Sequence, residues 1–129
     1  MILETTFVID FLKGKDDAKS KMKFLIDANA NISIAVPTVF ELYAGYVQYG
    51  KGEKELEKMA SFLMSLPLQS LNGESARIAG VIDGTLIKKG LEISTEDSMI
   101  AGIAIKNNEI VLTRDDHFKR VEGLKIEGY

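Results

Sequence analysis

The chain contains no cysteine in 129 residues, which removes disulfides and thiolate metal sites and lends no support to an oxidising compartment. It has a single histidine, His117. Neither a Ser-His-Asp relay nor a multi-histidine zinc site is therefore expected. No glycine-rich phosphate loop of the GxGxxG or Walker type occurs. No apolar run approaches the ~20 residues needed to span a bilayer. The opening Met-Ile-Leu-Glu carries an acid at position 4 and no basic segment, unlike a secretory signal, so a cytoplasmic protein with no membrane association is expected. Positive charge is not in excess either: the net charge is −3, which argues against nonspecific coating of nucleic acid. An enzyme that holds nucleic acid through a few local basic residues and a metal stays open.

What is present reads as one ordinary globular domain over residues 1–129, 46% hydrophobic and 27% charged. Its focus is Ile93 to Phe118. Ser94 begins a helix cap with Asp97 three residues on. Met99 to Ile105 is apolar or small all the way round, as in a buried helix. Glu109 to Thr113 follows as a β-branched central strand covered on both faces, and it ends abruptly in Arg114-Asp115-Asp116-His117.

Taken in order, the chain predicts alternating strands and helices. Ile2-Leu3 suits a first strand, followed by a helix containing Phe7, Val8, Phe11 and Leu12. Asp16 to Ala30 is an amphipathic helix and Ile32 to Val36 a strand. Pro37 punctuates that strand, and Thr38 is the expected N-cap of a helix from Val39 to about Tyr49. Tyr43, Tyr46 and Tyr49 form a stripe along it, more typical of core or packing surface than of a ligand box. Glu53 to Leu66 is helical, Leu68 to Leu71 a short strand, and a helix opened by Asn72-Gly73-Glu74 runs to about Lys89. Gly123 to Tyr129 adds an edge strand. Such alternation implies an α/β three-layer sandwich around a central parallel sheet of four or five strands.

Four acids, Glu4, Glu41, Asp97 and Asp115, fall at a strand end or at the start of the following helix, where ligands bind open α/β sheets. Singly, each reads as a cap or turn former: Thr38-x-x-Glu41 and Ser94-x-x-Asp97 match the capping box, Glu4 favours a helix N-terminus, and Asp115 initiates a turn. Together they converge on one rim of the sheet, where carboxylates repel unless a cation sits among them. An oxygen-only set suits Mg²⁺ or Mn²⁺, and such a site activates water and stabilises phosphoryl transition states. Asp10 faces either this site or solvent. Glu96 and Asp116 neighbour the key acids and are substitutes for them. Arg114, Lys119 and Arg120 form a basic group beside Asp115 suited to phosphate contacts. His117 reads as a locally bonded turn histidine.

The motifs that carry these acids resemble those of the PIN-domain family, and within it the VapC-type toxins of prokaryotic toxin–antitoxin pairs. Leu3 to Asp10 resembles the LDTSxLID opening, Val36 to Leu42 the second motif with its helix-borne glutamate, Asp97 to Ala101 the DxxIA motif, and Leu112 to Phe118 the closing TxDxxF. The resemblance runs essentially the full length. It implies a PIN-like fold and a Mg²⁺- or Mn²⁺-dependent endoribonuclease that leaves a 5′-phosphate and a 3′-hydroxyl. It also implies a cognate antitoxin and a homodimer. Glu41, Asp97 and Asp115 would hold the metal, with Glu4 where the family usually has aspartate. Thr113 would orient the acids through its hydroxyl, with Asp116 in support. Two departures stand out: Glu4 is one methylene longer, and His117 stands where many relatives have a further aspartate. The other reading is a PIN-like module that binds RNA or protein with little or no cleavage.

Overall fold

A computed structural model describes residues 1–129. Five short strands are present: β1 Ile2–Leu3, β2 Ile34–Ala35, β3 Leu68–Gln69, β4 Ile110–Leu112 and β5 Lys125–Glu127. Every pairing is parallel, in the orders β1-β4-β5 and β2-β3. A parallel bridge between Ile2 and Ser33 joins the two groups. Leu3 N donates to Ser33 O at 2.9 Å and Ser33 N to Met1 O at 3.0 Å. The sheet therefore runs β3-β2-β1-β4-β5, with β5 on the edge.

The helices are α1 Thr5–Leu12, α2 Asp16–Asp27, α3 Val36–Gln48, α4 Glu53–Met64, α5 Gly73–Lys88 and α6 Thr95–Lys106, with a short 3₁₀ helix at Asp116–Arg120. None is long and apolar enough to cross a membrane. Side chains alternate across a strand, and this alternation sorts the core. Leu3, Ile34 and Leu112 join Phe7 and Val8 of α1, Met22 of α2, Leu42 of α3 and Met59 of α4 on one face. Ile2, Ala35 and Val111 point the other way, onto Ile100, Ile103 and Ala104 of α6. The result is a three-layer sandwich. Helix α6 is buried over seven of its twelve residues, as its all-round apolar sequence requires.

One boundary differs from expectation. Helix α3 starts at Val36, with Ala35 as its N-cap and no side-chain capping bond. Pro37 falls in the first helical turn, where its missing N–H costs nothing and its fixed φ suits the helix. Thr38 is consequently inside the helix rather than capping it. It is fully buried, and its Oγ1 is the one buried side-chain polar atom without a hydrogen-bond partner. The capping box with Glu41 does not form, which releases Glu41 from a local role.

Helices α5 and α6 pack unusually closely at Gly102. A Cβ there would lie 2.6 Å from Ser75 O and 2.8 Å from Ala79 N, both backbone atoms. Gly102→Ala should therefore push α5 from α6 and destabilise the fold by about 1–3 kcal/mol despite alanine's better helix propensity. Gly84, exposed on α5 with nothing near its ideal Cβ, is the control. Gly84→Ala should stabilise by up to about 1 kcal/mol. Urea denaturation of the two variants measures both signs.

Candidate functional site

The carboxyl ends of β1 and β4 meet the N-termini of α1 and α6 on one rim of the sheet, and three of the four acids leave from these ends. Glu4 follows β1 and caps α1. Its Oε2 accepts from Thr6 N at 3.0 Å, Thr6 Oγ1 at 2.6 Å and Thr113 Oγ1 at 2.8 Å. Thr113, just past β4, also accepts from Asp115 N at 2.9 Å. One hydroxyl thus couples the exits of two strands. Asp115 in turn accepts from His117 N at 2.9 Å, opening the 3₁₀ helix.

Asp97 stands in the first turn of α6. Its backbone N donates to Ser94 Oγ at 3.1 Å, but the return bond of a capping box is absent. The cap uses the Asp97 backbone and leaves its carboxylate for the rim. Glu41 arrives from the second turn of α3, where Thr5 Oγ1 donates to its Oε1 at 2.8 Å. Glu4, Glu41 and Asp115 are thus each held by a neighbouring hydroxyl or backbone amide, and no lysine or arginine pairs with them.

Burial, and after it the nearness of the other acids, raises three of their pKa values. Glu41 is pushed up to about 7, first by burial and then by the charges of Asp97, Glu4 and Glu96, against the Thr5 bond. Asp97 rises to about 6, through burial, then Glu4 and Asp115, with the Ser94 bond and His117 opposing. Glu4 is also raised by burial, with a smaller contribution from Asp115, although its three hydrogen bonds resist. Ligand atoms of Asp97, Asp115 and His117 lie within 4.8 Å of one another, a spacing that can hold a metal ion. Glu4 and Glu41 do not join that trio. The His117 Nδ1 is 3.3 Å from Asp115 Oδ1. The sequence reads His117 as a locally bonded turn histidine, and its contact with Asp115 is local; what no local pattern signals is that Asp97 lies within reach of both.

The remaining candidates go elsewhere. Asp10 faces neither the rim nor solvent: it is buried, paired with Lys15 at 2.8 Å and with Arg114 Nη2 at 2.9 Å, and accepts from the Tyr129 hydroxyl at 2.7 Å. Burial pushes its carboxyl up, but these partners outweigh that and hold it below the usual aspartate range. Arg114 thereby clamps the Asp115 loop onto α1. Lys119 pairs with the exposed Asp116 at 2.6 Å, and Arg120 Nη1 donates to Glu92 O at 2.9 Å. None of the three cations forms an ion pair with the four converging acids.

Comparison with known proteins places the fold in a family. The PIN domain family model matches residues 1–124. The chain is 31% identical over 102 residues to "Ribonuclease VapC3" of Methanocaldococcus jannaschii, covering 79% of this chain and 95% of the relative. It is 26% identical over 129 residues to the "tRNA(fMet)-specific endonuclease VapC" of Salmonella typhimurium, covering 99% and 96%. Among solved structures, VapBC2 from Rickettsia felis bound to a promoter DNA fragment superposes with a TM-score of 0.87 at 27% identity, covering 99% of this chain and 97% of that one.

Acids whose folded pKa exceeds the unfolded value bind protons more tightly in the fold. Stability from Asp97 and Glu41 is therefore present at low pH and is lost as pH rises from the usual carboxylate range through about 6 and 7. In EDTA, the melting temperature should fall between pH 5 and 8, by on the order of 5 °C. Mn²⁺ should abolish most of that fall, since it offsets the repulsion and binds only the folded state. Thermal melts across this pH range with and without Mn²⁺ test the assignment, and a metal-insensitive profile would count against it.

Proposed function

The chain belongs to the PIN domain family, and on that premise we propose that it is an endoribonuclease acting as the toxin of a toxin–antitoxin pair, held in check by a cognate antitoxin. Convergence of Glu4, Glu41, Asp97 and Asp115 on one rim carries this reading. The named relatives, an archaeal ribonuclease and a bacterial tRNA-specific endonuclease, support RNA as the substrate. The antitoxin is supported by the VapBC complexes that share the fold. The domain spans the chain, and a homodimer completes the proposed assembly.

The donor set fits a hard divalent cation, Mg²⁺ or Mn²⁺. It holds carboxylate oxygens and one imidazole but no sulfur, its acids repel one another, and its nearby cations are committed elsewhere. Asp97 and Asp115 would hold the metal with Glu41, the family's helix-borne glutamate; His117, spaced with the two aspartates, is a further donor, and Glu4 stands beside them. When bound, the cation favours deprotonation of water and offsets negative charge developing at the phosphoryl group. The chain's own residues do the positioning. Thr113 ties Glu4 to the Asp115 loop, and Thr5 holds Glu41 Oε1, leaving Oε2 free of protein hydrogen bonds. Arg114, half-exposed and fixed by Asp10, offers its outer N–H groups to a phosphate at the rim, with Lys119 and Arg120 flanking it.

Asp97→Asn and Asp115→Asn should each lower Mn²⁺-dependent RNA cleavage by about 10²-fold or more, since a neutral amide is a poor ligand for these ions. Both should stay folded. The Ser94 cap takes the Asp97 backbone, and asparagine can still cap the 3₁₀ helix through its side-chain oxygen. Wild-type rates in both variants would remove the metal assignment.

Glu4 tests how the longer carboxylate is accommodated. Its Oε2 spans Thr6 and Thr113 together, and a side chain one methylene shorter falls short of that reach. Glu4→Asp should therefore reduce cleavage, by up to about 10²-fold for a displacement near 1 Å. An increase in turnover would mean that the glutamate merely weakens the site. Unchanged cleavage in both Glu4→Asp and Glu4→Gln would exclude Glu4 from it and leave a cluster of Glu41, Asp97 and Asp115.

A further inference from the structure

A groove of about 340 Å³ opens between α1, α3 and α4, and Glu41 forms part of its wall. It is therefore continuous with the acid rim, although no step described above uses it. Ile9, Leu42 and Met59 give it an apolar lining, and Tyr46 and Tyr49 stand along one side. Tyr46 packs partly against the core, while Tyr49 is 77% exposed. Lys13, Lys51 and Lys58 also line it. Lys58 leans on Leu12 O at 3.1 Å and Lys51 on Glu55 at 3.6 Å, whereas Lys13 has no protein partner for its ammonium. Against two acids, Glu41 and Glu55, the three lysines still leave this apolar, tyrosine-sided groove net basic in a chain of net charge −3.

We propose that this groove is a nucleobase subsite: it takes one unstacked base of the RNA substrate, next to the nucleotide whose phosphate lies at the acid rim. The proposal rests on the ribonuclease reading. Single-stranded RNA is bound by stacking splayed bases on aromatic side chains while cations follow the backbone. Tyr49 and Tyr46 supply the aromatic faces and the lysines the cations. The volume lies at the small end of ligand pockets, ~300–1,000 Å³, which suits one ring system rather than a strand. An apolar peptide segment would gain little from the lysines, whereas the phosphates on either side of a base need them. The groove would thereby set which base is preferred beside the cleavage point.

Gly45 makes this testable without touching the acids. It lines the groove, and its ideal Cβ has nothing within 4 Å. Gly45→Leu should fill the space, and leucine is the better helix former. Cleavage of a single-stranded 12-mer RNA with Mn²⁺ would be measured for wild type, Gly45→Leu, Tyr49→Ala and Tyr49→Phe, with melting temperatures checked alongside. Gly45→Leu and Tyr49→Ala should raise KM by about five-fold or more with a smaller change in kcat, the low end of what losing one stacked base costs. Tyr49→Phe should restore KM, because stacking needs no hydroxyl. With Asp97→Asn as an uncut trap, 4-thiouridine placed along the 12-mer should crosslink to residues 45–51 at one or two positions only.

Unchanged KM in Gly45→Leu and Tyr49→Ala, with wild type cutting normally, would overturn the subsite and leave the ribonuclease reading intact. If wild type cuts no RNA, that reading falls and the crosslink decides. Crosslinking abolished by Gly45→Leu retains a base-binding groove; no crosslink at residues 45–51 ends it. Normal cleavage by Gly45→Leu with loss of a co-expressed antitoxin would overturn the proposal in favour of a protein-docking groove.

Discussion

The carboxylate of Glu4 is the contact on which the rest of the site depends. A buried charge is tolerated only when well hydrogen-bonded, and one oxygen of Glu4 meets that condition with Thr6 N, Thr6 Oγ1 and Thr113 Oγ1. These bonds join the exit of β1 to the exit of β4, which also pair as strands through Ile2–Val111 and Leu3–Leu112. Because Thr113 also accepts from Asp115 N, the position of Glu4 is passed on to the loop that bears the next acid. The same residue caps α1, so the helix start and the site geometry are set by one side chain.

The distribution of positive charge follows from a related constraint. Acids gathered on one rim raise one another's pKa, and a folded protein ordinarily relieves this with its own cations. Here the nearest ones are occupied: Arg114 by Asp10, Lys119 by Asp116, Arg120 by the Glu92 carbonyl. Within the chain, only His117 stands against these acids. The Asp10 network shows why this arrangement holds. Asp10 is buried and satisfied by Lys15, Arg114 and Tyr129 together, so moving Arg114 to the acids would take one of three partners from a buried carboxylate.

Strand chemistry set the architecture to a degree visible in the residues. Ile2-Leu3, Ile34-Ala35 and Val111-Leu112 are apolar on both faces, as strands covered on both sides must be. Their alternation splits the core into the α1–α4 side and the α5–α6 side. The all-round apolar character of α6 likewise announced its burial. The tight α5–α6 contact, by contrast, is marked only by Gly102. A lone glycine in a helix does not say what lies 2.6 Å from its missing Cβ.

Local pattern, residue by residue, determined most of the secondary structure and the four acidic positions, because period, caps and turn chemistry are properties of short stretches. The family motifs added their order. Three matters were decided only by the tertiary structure. Thr38 looked like a cap, yet Pro37 suits the first helical turn and draws Thr38 into the helix, a choice that neighbouring residues alone do not settle. Asp10 looked available to the rim until its partners at 15, 114 and 129 were in place; those separations are invisible to any local reading. His117 joined Asp97 and Asp115 for the same reason. Side chains 20 residues apart become neighbours only when the N-terminus of α6 and the loop after β4 are brought to the same edge of the sheet. Spacing along a chain reports which residues share a helix face or a strand face, but distances between elements come from packing.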